Sequence, residues 1–136
     1  MRIEDYFRQV REMLDACPLI ESSSVTYDER ASYEGFIQGE LYLRDGSVLH
    51  FREFVDVETT VERLLYSYQY MTPAAKLVFR YNNTGHHRKM GLATYPHHKH
   101  EGEESRVVAS QPSDLSQILS EIETLYGPEN GDPAGV

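Results

Sequence analysis

Residues 33–57 read YEGFIQGELYLRDGSVLHFREFVDV. The pair Asp45-Gly46 is a typical two-residue turn signal between two alternating stretches. In each stretch several apolar residues share one parity: they are Ile37, Leu41 and Leu43 in the first, and Leu49, Phe51, Val55 and Val57 in the second. The pattern predicts an antiparallel hairpin with one apolar face.

The segments around this hairpin predict further strands and two helices. Residues 2–16 have helical apolar spacing that ends before Pro18, and residues 20–27 are a candidate strand. The alternating Tyr66, Tyr68 and Tyr70 favour a strand over a helix for residues 59–71, and residues 76–81 alternate in the same way. Residues 82–106 lack periodicity and are expected to be mostly loop, with a short strand near Val107-Val108.

The C-terminal part predicts a helix with Ser113 as its N-cap and its end at Gly127-Pro128. We therefore expect an α+β fold, in which an N-terminal and a C-terminal helix pack on an antiparallel hairpin or meander sheet of five or six strands. Residues 1–126 form the single domain, and residues 127–136 a disordered tail.

Composition limits the class of protein. The chain has 136 residues, 40% of them hydrophobic and 26% charged, which fits one globular domain. No apolar run approaches the roughly 20 residues that span a bilayer, and the N-terminus lacks a secretory signal. A single cysteine, Cys17, excludes a disulfide framework. We expect a cytoplasmic protein without a membrane partner.

Charge is distributed unevenly along the chain. The formal net charge is −9, yet residues 63–100 contain no Asp or Glu. That segment holds six Lys and Arg and five of the six histidines, so the other 98 residues carry 7 basic and 22 acidic groups, or −15. Such a segment suits a phosphate-handling site or, equally, a solvated loop neutralised by neighbouring carboxylates. The acidic remainder disfavours extended duplex DNA.

The histidine cluster predicts proton-transfer chemistry. His86, His87, His98 and His100 are the candidate catalytic residues, since imidazoles can take a proton from an RNA 2′-hydroxyl and protonate the leaving 5′-oxygen. Arg80, Arg88 and Lys99 are the candidate phosphate-binding residues. Asn82 and Tyr81 are candidates for positioning the substrate, although a turn at the strand exit also explains Asn82-Asn83. This hypothesis is a metal-independent endoribonuclease without a cofactor.

Other hypotheses compete with it. His98 and His100 lie two residues apart and, with His86, could bind zinc, although nearby carboxylate and thiolate ligands are missing. The segment could instead be a non-catalytic module that binds nucleic acid or protein, or a surface loop without a site. Self-association as a homodimer is also left open.

Four short motifs together resemble a known family. They are Tyr66-Ser-Tyr68-Gln-Tyr70, Phe79-Arg80-Tyr81-Asn82-Asn83, His86-His87 and Pro96-His97-His98-Lys99-His100. The chain resembles the TumE-type toxins of prokaryotic type II toxin–antitoxin systems over residues 30–125. The resemblance implies growth inhibition that a cognate antitoxin, usually a small helix-turn-helix protein, suppresses; an RNA substrate is our inference from the histidine chemistry. This chain has Asn82 where the family commonly has Asp, and Gly85 where it commonly has Pro.

Overall fold

The computed structural model describes residues 1–83, 97–103, 107–109 and 114–131. The chain begins with helix α1, Ile3–Asp15, and ends with helix α2, Leu115–Gly131. Between them lie the strands β1 Ile20–Glu29, β2 Glu34–Leu43, β3 Val48–Asp56, β4 Glu62–Met71, β5 Leu77–Asn82, β6 His98–Glu101 and β7 Val107–Ala109. Within these ranges the strands form one antiparallel meander in the order β1 to β7. The predicted α+β class is confirmed, and the sheet has seven strands where five or six were expected.

The central hairpin forms as predicted, with a slightly longer turn. Gly46 adopts a φ of 88°, and its N–H donates to the Leu43 carbonyl over 3.0 Å. The Leu43 N–H donates to the Ser47 carbonyl over 2.9 Å, so three residues lie in the turn rather than two. The positive φ explains the glycine, because a side chain at this position would strain the backbone.

Both helices pack on the same face of the sheet. This face carries the buried apolar residues of β2 and β3. It also carries the buried tyrosines of β4, which are Tyr66, Tyr68 and Tyr70. α1 approaches the sheet at Gly35, where an added Cβ would lie 2.6 Å from Phe7 Cζ. α2 adds Leu115, Ile118, Leu119 and Ile122 to the same core. Most of the polar residues of β2 and β3 lie on the other face of the sheet, together with the partly exposed Phe36 and Phe54.

The predicted boundaries of α2 are wrong at both ends. Asp114 caps the helix, because its carboxylate accepts the Gln117 N–H over 2.8 Å and the Gln117 side chain accepts the Asp114 N–H over 3.2 Å. The predicted cap, Ser113, lies outside the described residues. At the other end Gly127 is helical rather than left-handed, so no glycine cap forms there. The helix therefore includes Pro128 and continues to Gly131, and residues 132–136 lie outside the described residues.

The segment predicted to be mostly loop contains a strand. β6 forms inside residues 82–106 because its backbone pairs with β5, from Phe79↔Glu101 to Asn82↔His98. β7 confirms the short strand expected near Val107-Val108. Within the described ranges, neither helix combines the length and apolar character that crossing a bilayer requires.

Candidate functional site

Two parallel rows of polar residues cross the face of the sheet that the helices leave uncovered. The strand register aligns them from β1 to β6, because residues directly opposite each other on antiparallel strands share a face. Row one contains, in strand order, Thr26, Gln38, Arg52, Ser67 and Asn82. Row two contains Ser24, Glu40, His50, Gln69, Arg80 and His100.

These rows line a groove of about 950 Å³. Its wall includes side chains from six strands, from Ser24 on β1 to His100 on β6. Ligand sites in proteins are concave and carry a few convergent polar groups. The polar groove is therefore the candidate site of this molecule.

Row two contains two cross-strand contacts. Gln69 Oε1 accepts from Arg80 Nε over 2.7 Å and also from Arg80 Nη2. Glu40 Oε1 lies 3.5 Å from His50 Nδ1, and the Tyr42 hydroxyl also donates to Glu40. Glu40 is thus the cross-strand partner of His50.

Arg80, Asn82 and His100 come together at the β5–β6 end of the groove. Arg80 is directly opposite His100 in the register, and Asn82 is directly opposite His98. Asn82 and His100 are only 5% and 4% exposed, yet both line the groove. The fold thus brings these three predicted residues together, and their catalytic and binding roles stay predictions.

The neighbouring Asn83 has a structural role. Its side-chain oxygen accepts the Tyr66 N–H over 2.9 Å, and its amide donates to the Leu64 carbonyl over 3.2 Å. The side chain thereby extends the hydrogen bonding between β4 and β5 beyond the end of β5. Asn83 fits the strand-exit role, whereas Asn82 lies in the groove.

Tyr81 and Lys99 lie on the opposite, helix-covered face. Glu121 of α2 accepts from the Tyr81 hydroxyl over 2.5 Å and from Lys99 Nζ over 3.1 Å. Lys99 Nζ also lies 4.7 Å from the centre of the Tyr81 ring. Burial, followed by the bond to Glu121, raises the pKa of Tyr81, so its hydroxyl stays protonated and donates. The structure does not bring these two predicted site residues together with His100.

Three further predicted residues, His86, His87 and Arg88, lie outside the described residues. The zinc alternative, which uses His86, lies partly outside them too. Across the ranges that are described, no three His, Cys, Asp or Glu side chains are grouped so that they could hold a metal ion.

A buried carboxylate cluster on the helix-covered face was not predicted. Glu53, 1% exposed, accepts hydrogen bonds of 2.5 Å from both Tyr6 and Tyr68, and its Oε2 lies 3.5 Å from Arg63 Nε. Burial, followed by the charge of Glu53, raises the pKa of both tyrosines, so both hydroxyls remain donors. The cluster joins α1 to β3 and β4.

His97 also lies beside a core tyrosine. Its ring stacks on Tyr66 at 5.8 Å between centres, and its Nδ1 lies 2.8 Å from the Tyr66 hydroxyl. Burial lowers the pKa of His97, which favours the neutral ring. This histidine connects the start of β6 to the core.

Sequence reasoning missed Arg52, His50 and Gln69 as groove residues. A signal was present, because Gln38, Glu40, His50 and Arg52 occupy the parity opposite the buried residues of β2 and β3. The register across β4 then aligns them with Arg80 and His100.

The groove lies inside a segment that matches a known family. The family model described as Toxin TumE matches residues 10–126. The chain belongs to the TumE family. The match spans every strand of the sheet and thus both polar rows of this TumE protein. No curated protein and no solved structure matches the chain.

Proposed function

We propose that this TumE protein is the toxin of a toxin–antitoxin pair and that it stops growth by cleaving RNA in the cytoplasm without a metal ion. The observation that carries the proposal is the direct pairing of Arg80 with His100 in the polar groove. A cation beside an imidazole combines phosphate binding with proton transfer. A small helix-turn-helix antitoxin is the proposed partner.

The proposed reaction is an internal transesterification. One histidine takes the proton of the 2′-hydroxyl while the 2′-oxygen bonds to phosphorus. The bond from phosphorus to the 5′-oxygen breaks, and a second histidine protonates that oxygen, which leaves a cyclic phosphate and a 5′-hydroxyl. His98 and His100 are the proposed pair, with His86 and His87 as the other candidates.

Arg80 is proposed to stabilise the charge that develops on the phosphate. Negative charge accumulates on the phosphate oxygens in the transition state, and a pre-positioned guanidinium stabilises it without reorganisation. The contacts of Arg80 with Gln69 Oε1 hold its Nε and Nη2 in the groove. Asn82, beside this pair, is proposed to position the substrate, and Arg88 to bind phosphate with Arg80.

The test combines growth inhibition with RNA cleavage. Wild-type protein is compared with His98→Ala, His100→Asn and Arg80→Gln, each on purified RNA with and without chelator and each induced in cells. Arg8→Gln is the matched control. Arg8 is exposed on α1, so this substitution also removes one positive charge, but on the helix-covered side of the sheet. We expect chelator-resistant cleavage and toxicity in wild type and control, and loss of both in the groove variants that remain folded.

Other outcomes assign a different function. Cleavage that chelator abolishes and zinc restores would make the histidines metal ligands. RNA binding without cleavage, with full toxicity of His98→Ala, would replace the ribonuclease with a non-catalytic binding module.

A further inference from the structure

We infer that Arg52 binds a second phosphate of the substrate, so that the groove takes an extended single strand of RNA running from Arg80 to Arg52. The inference rests on the proposed function, because it extends the same groove. It adds a phosphate-binding role for Arg52 that the sequence analysis does not give and the family match does not indicate.

Arg52 is an available cation in the middle of the groove. It is exposed in row one, on β3 between Gln38 and Ser67. Among the described residues it has no hydrogen-bond or ion-pair partner, whereas Arg80 contacts Gln69. A solvated guanidinium in a groove is suited to a phosphate, which it can bind through two parallel hydrogen bonds.

The distance between the two arginines fits a short stretch of nucleic acid. Arg52 lies two strands and one row away from Arg80. With strands about 4.8 Å apart and rows about 7 Å apart, the two Cα atoms are about 12 Å apart. At about 3.4 Å per stacked nucleotide, a few nucleotides cover this distance. One strand could therefore place different phosphates at the two residues.

An aromatic pair beside Arg52 favours single-stranded nucleic acid. Phe36 and Phe54 are direct partners across β2 and β3, and Phe54 is two residues beyond Arg52 on the same face. Both are partly exposed, and neither packs against the hydrophobic core. Aromatic rings stack on unpaired bases, which a duplex does not offer. A phosphate at Arg52 would bring its base to these rings.

Local charge favours the same path. The two rows contain Arg52 and Arg80 against one carboxylate, Glu40, in a chain whose net charge is −9. Glu40 lies on β2 beside His50, three strands away from Arg80 in row two. Because that carboxylate repels phosphate, the strand is directed from Arg80 diagonally into row one, toward Arg52.

The experiment distinguishes the roles of Arg52 and Arg80 by comparing a long RNA substrate with a short one. Cleavage of an RNA of about ten nucleotides is compared with cleavage of a dinucleotide, which has only the reacting phosphate. We expect Arg52→Gln to raise KM for the longer RNA about tenfold and to leave the dinucleotide unaffected. Arg80→Gln should impair both substrates, and the control Arg8→Gln neither. Equal KM values for Arg52→Gln and wild type, or equal loss on both substrates, overturn the inference.

A binding measurement distinguishes failure of this inference from failure of the proposed reaction. A non-cleavable 2′-O-methyl RNA of about the same length is titrated at several salt concentrations. Loss of one phosphate contact should reduce the slope of log Kd against log salt by about 0.7 in Arg52→Gln. If wild type cleaves nothing but this slope changes, the ribonuclease proposal fails and the role of Arg52 stands. An unchanged slope refutes that role.

Discussion

Arg80 on β5 and His100 on β6 are direct cross-strand partners on the polar face of the sheet. Residues paired in this way have Cβ atoms about 5 Å apart, so a single phosphate can contact both side chains. Their proximity depends on the pairing of two strands that 15 residues separate in sequence, from Asn82 to His98.

Replacing His100 by Asn tests the proton-transfer role directly. Asn keeps a hydrogen-bonding side chain but cannot take up a proton, so we expect RNA cleavage to slow by at least about 100-fold. His50→Asn is the matched control, because His50 lies in the same row but pairs with Glu40. Single-turnover cleavage rates and urea midpoints measure activity and folding. A folded His100→Asn protein with a wild-type rate contradicts the assignment.

Lys99→Met should separate structure from catalysis. Lys99 is 18% exposed and paired with Glu121 on the helix-covered face. We expect the free energy of unfolding to fall by about 1 kcal/mol, with RNA cleavage unchanged. Urea denaturation and the cleavage assay report the two effects. If cleavage instead falls as far as in Arg80→Gln while stability is kept, Lys99 binds phosphate as the sequence suggested.

Glu53→Gln should weaken the junction between α1 and the sheet. The neutral amide loses the charge-assisted bonds from Tyr6 and Tyr68 and the ion pair with Arg63. We expect a loss of about 1–3 kcal/mol in urea unfolding. Glu58→Gln, at an exposed position, should change it by no more than about 0.5 kcal/mol. Equal stability of both variants would mean that the buried cluster contributes nothing.

Gly35→Ala tests how closely α1 approaches the sheet. The added Cβ would lie 2.6 Å from Phe7 Cζ and 2.7 Å from Ile3 Cγ1, so α1 must shift. We expect a cost of about 1–3 kcal/mol. Adding Phe7→Leu removes the crowding ring atom, so the double variant should lose less than the sum of the single changes. Strict additivity in thermal or urea unfolding would argue against this close approach.

His97 should make stability depend on pH. Burial lowers its pKa below the ordinary 6.5, so between these two values the unfolded chain binds more protons than the folded chain. The free energy of unfolding therefore falls as pH drops from 6.5 toward the lowered pKa. Urea midpoints across this window should fall less steeply in His97→Gln. Identical slopes in both proteins would remove His97 as the cause.

Local patterns were sufficient for the central elements of the fold. Asp45-Gly46 marked the hairpin, and the alternating Tyr66, Tyr68 and Tyr70 marked a buried strand. β6 escaped prediction because its four residues, His-Lys-His-Glu, contain no apolar alternation. β6 forms because it pairs with β5, and the local sequence around β6 does not include β5.

The candidate site was predictable only in part. Period-two alternation already separates Lys99 from His98 and His100, so its position on the other face could have been foreseen. The alignment of Arg52 with Ser67 and Asn82 could not, because it depends on the register of three strands and on a bulge between Phe54 and Val55. Burial of Glu53 likewise depends on tyrosines from α1 and β4.

The meander order has a consequence during protein synthesis. Because every strand pairs with its neighbour in the chain, the sheet can grow one strand at a time as the polypeptide leaves the ribosome. Arg52 and Arg80 emerge first, and His100 joins them only when β6 adds to the edge. A chain whose translation stops before β6 would thus carry Arg52 and Arg80 of the groove without His100. The ribosome would release a complete toxin only at the end of synthesis.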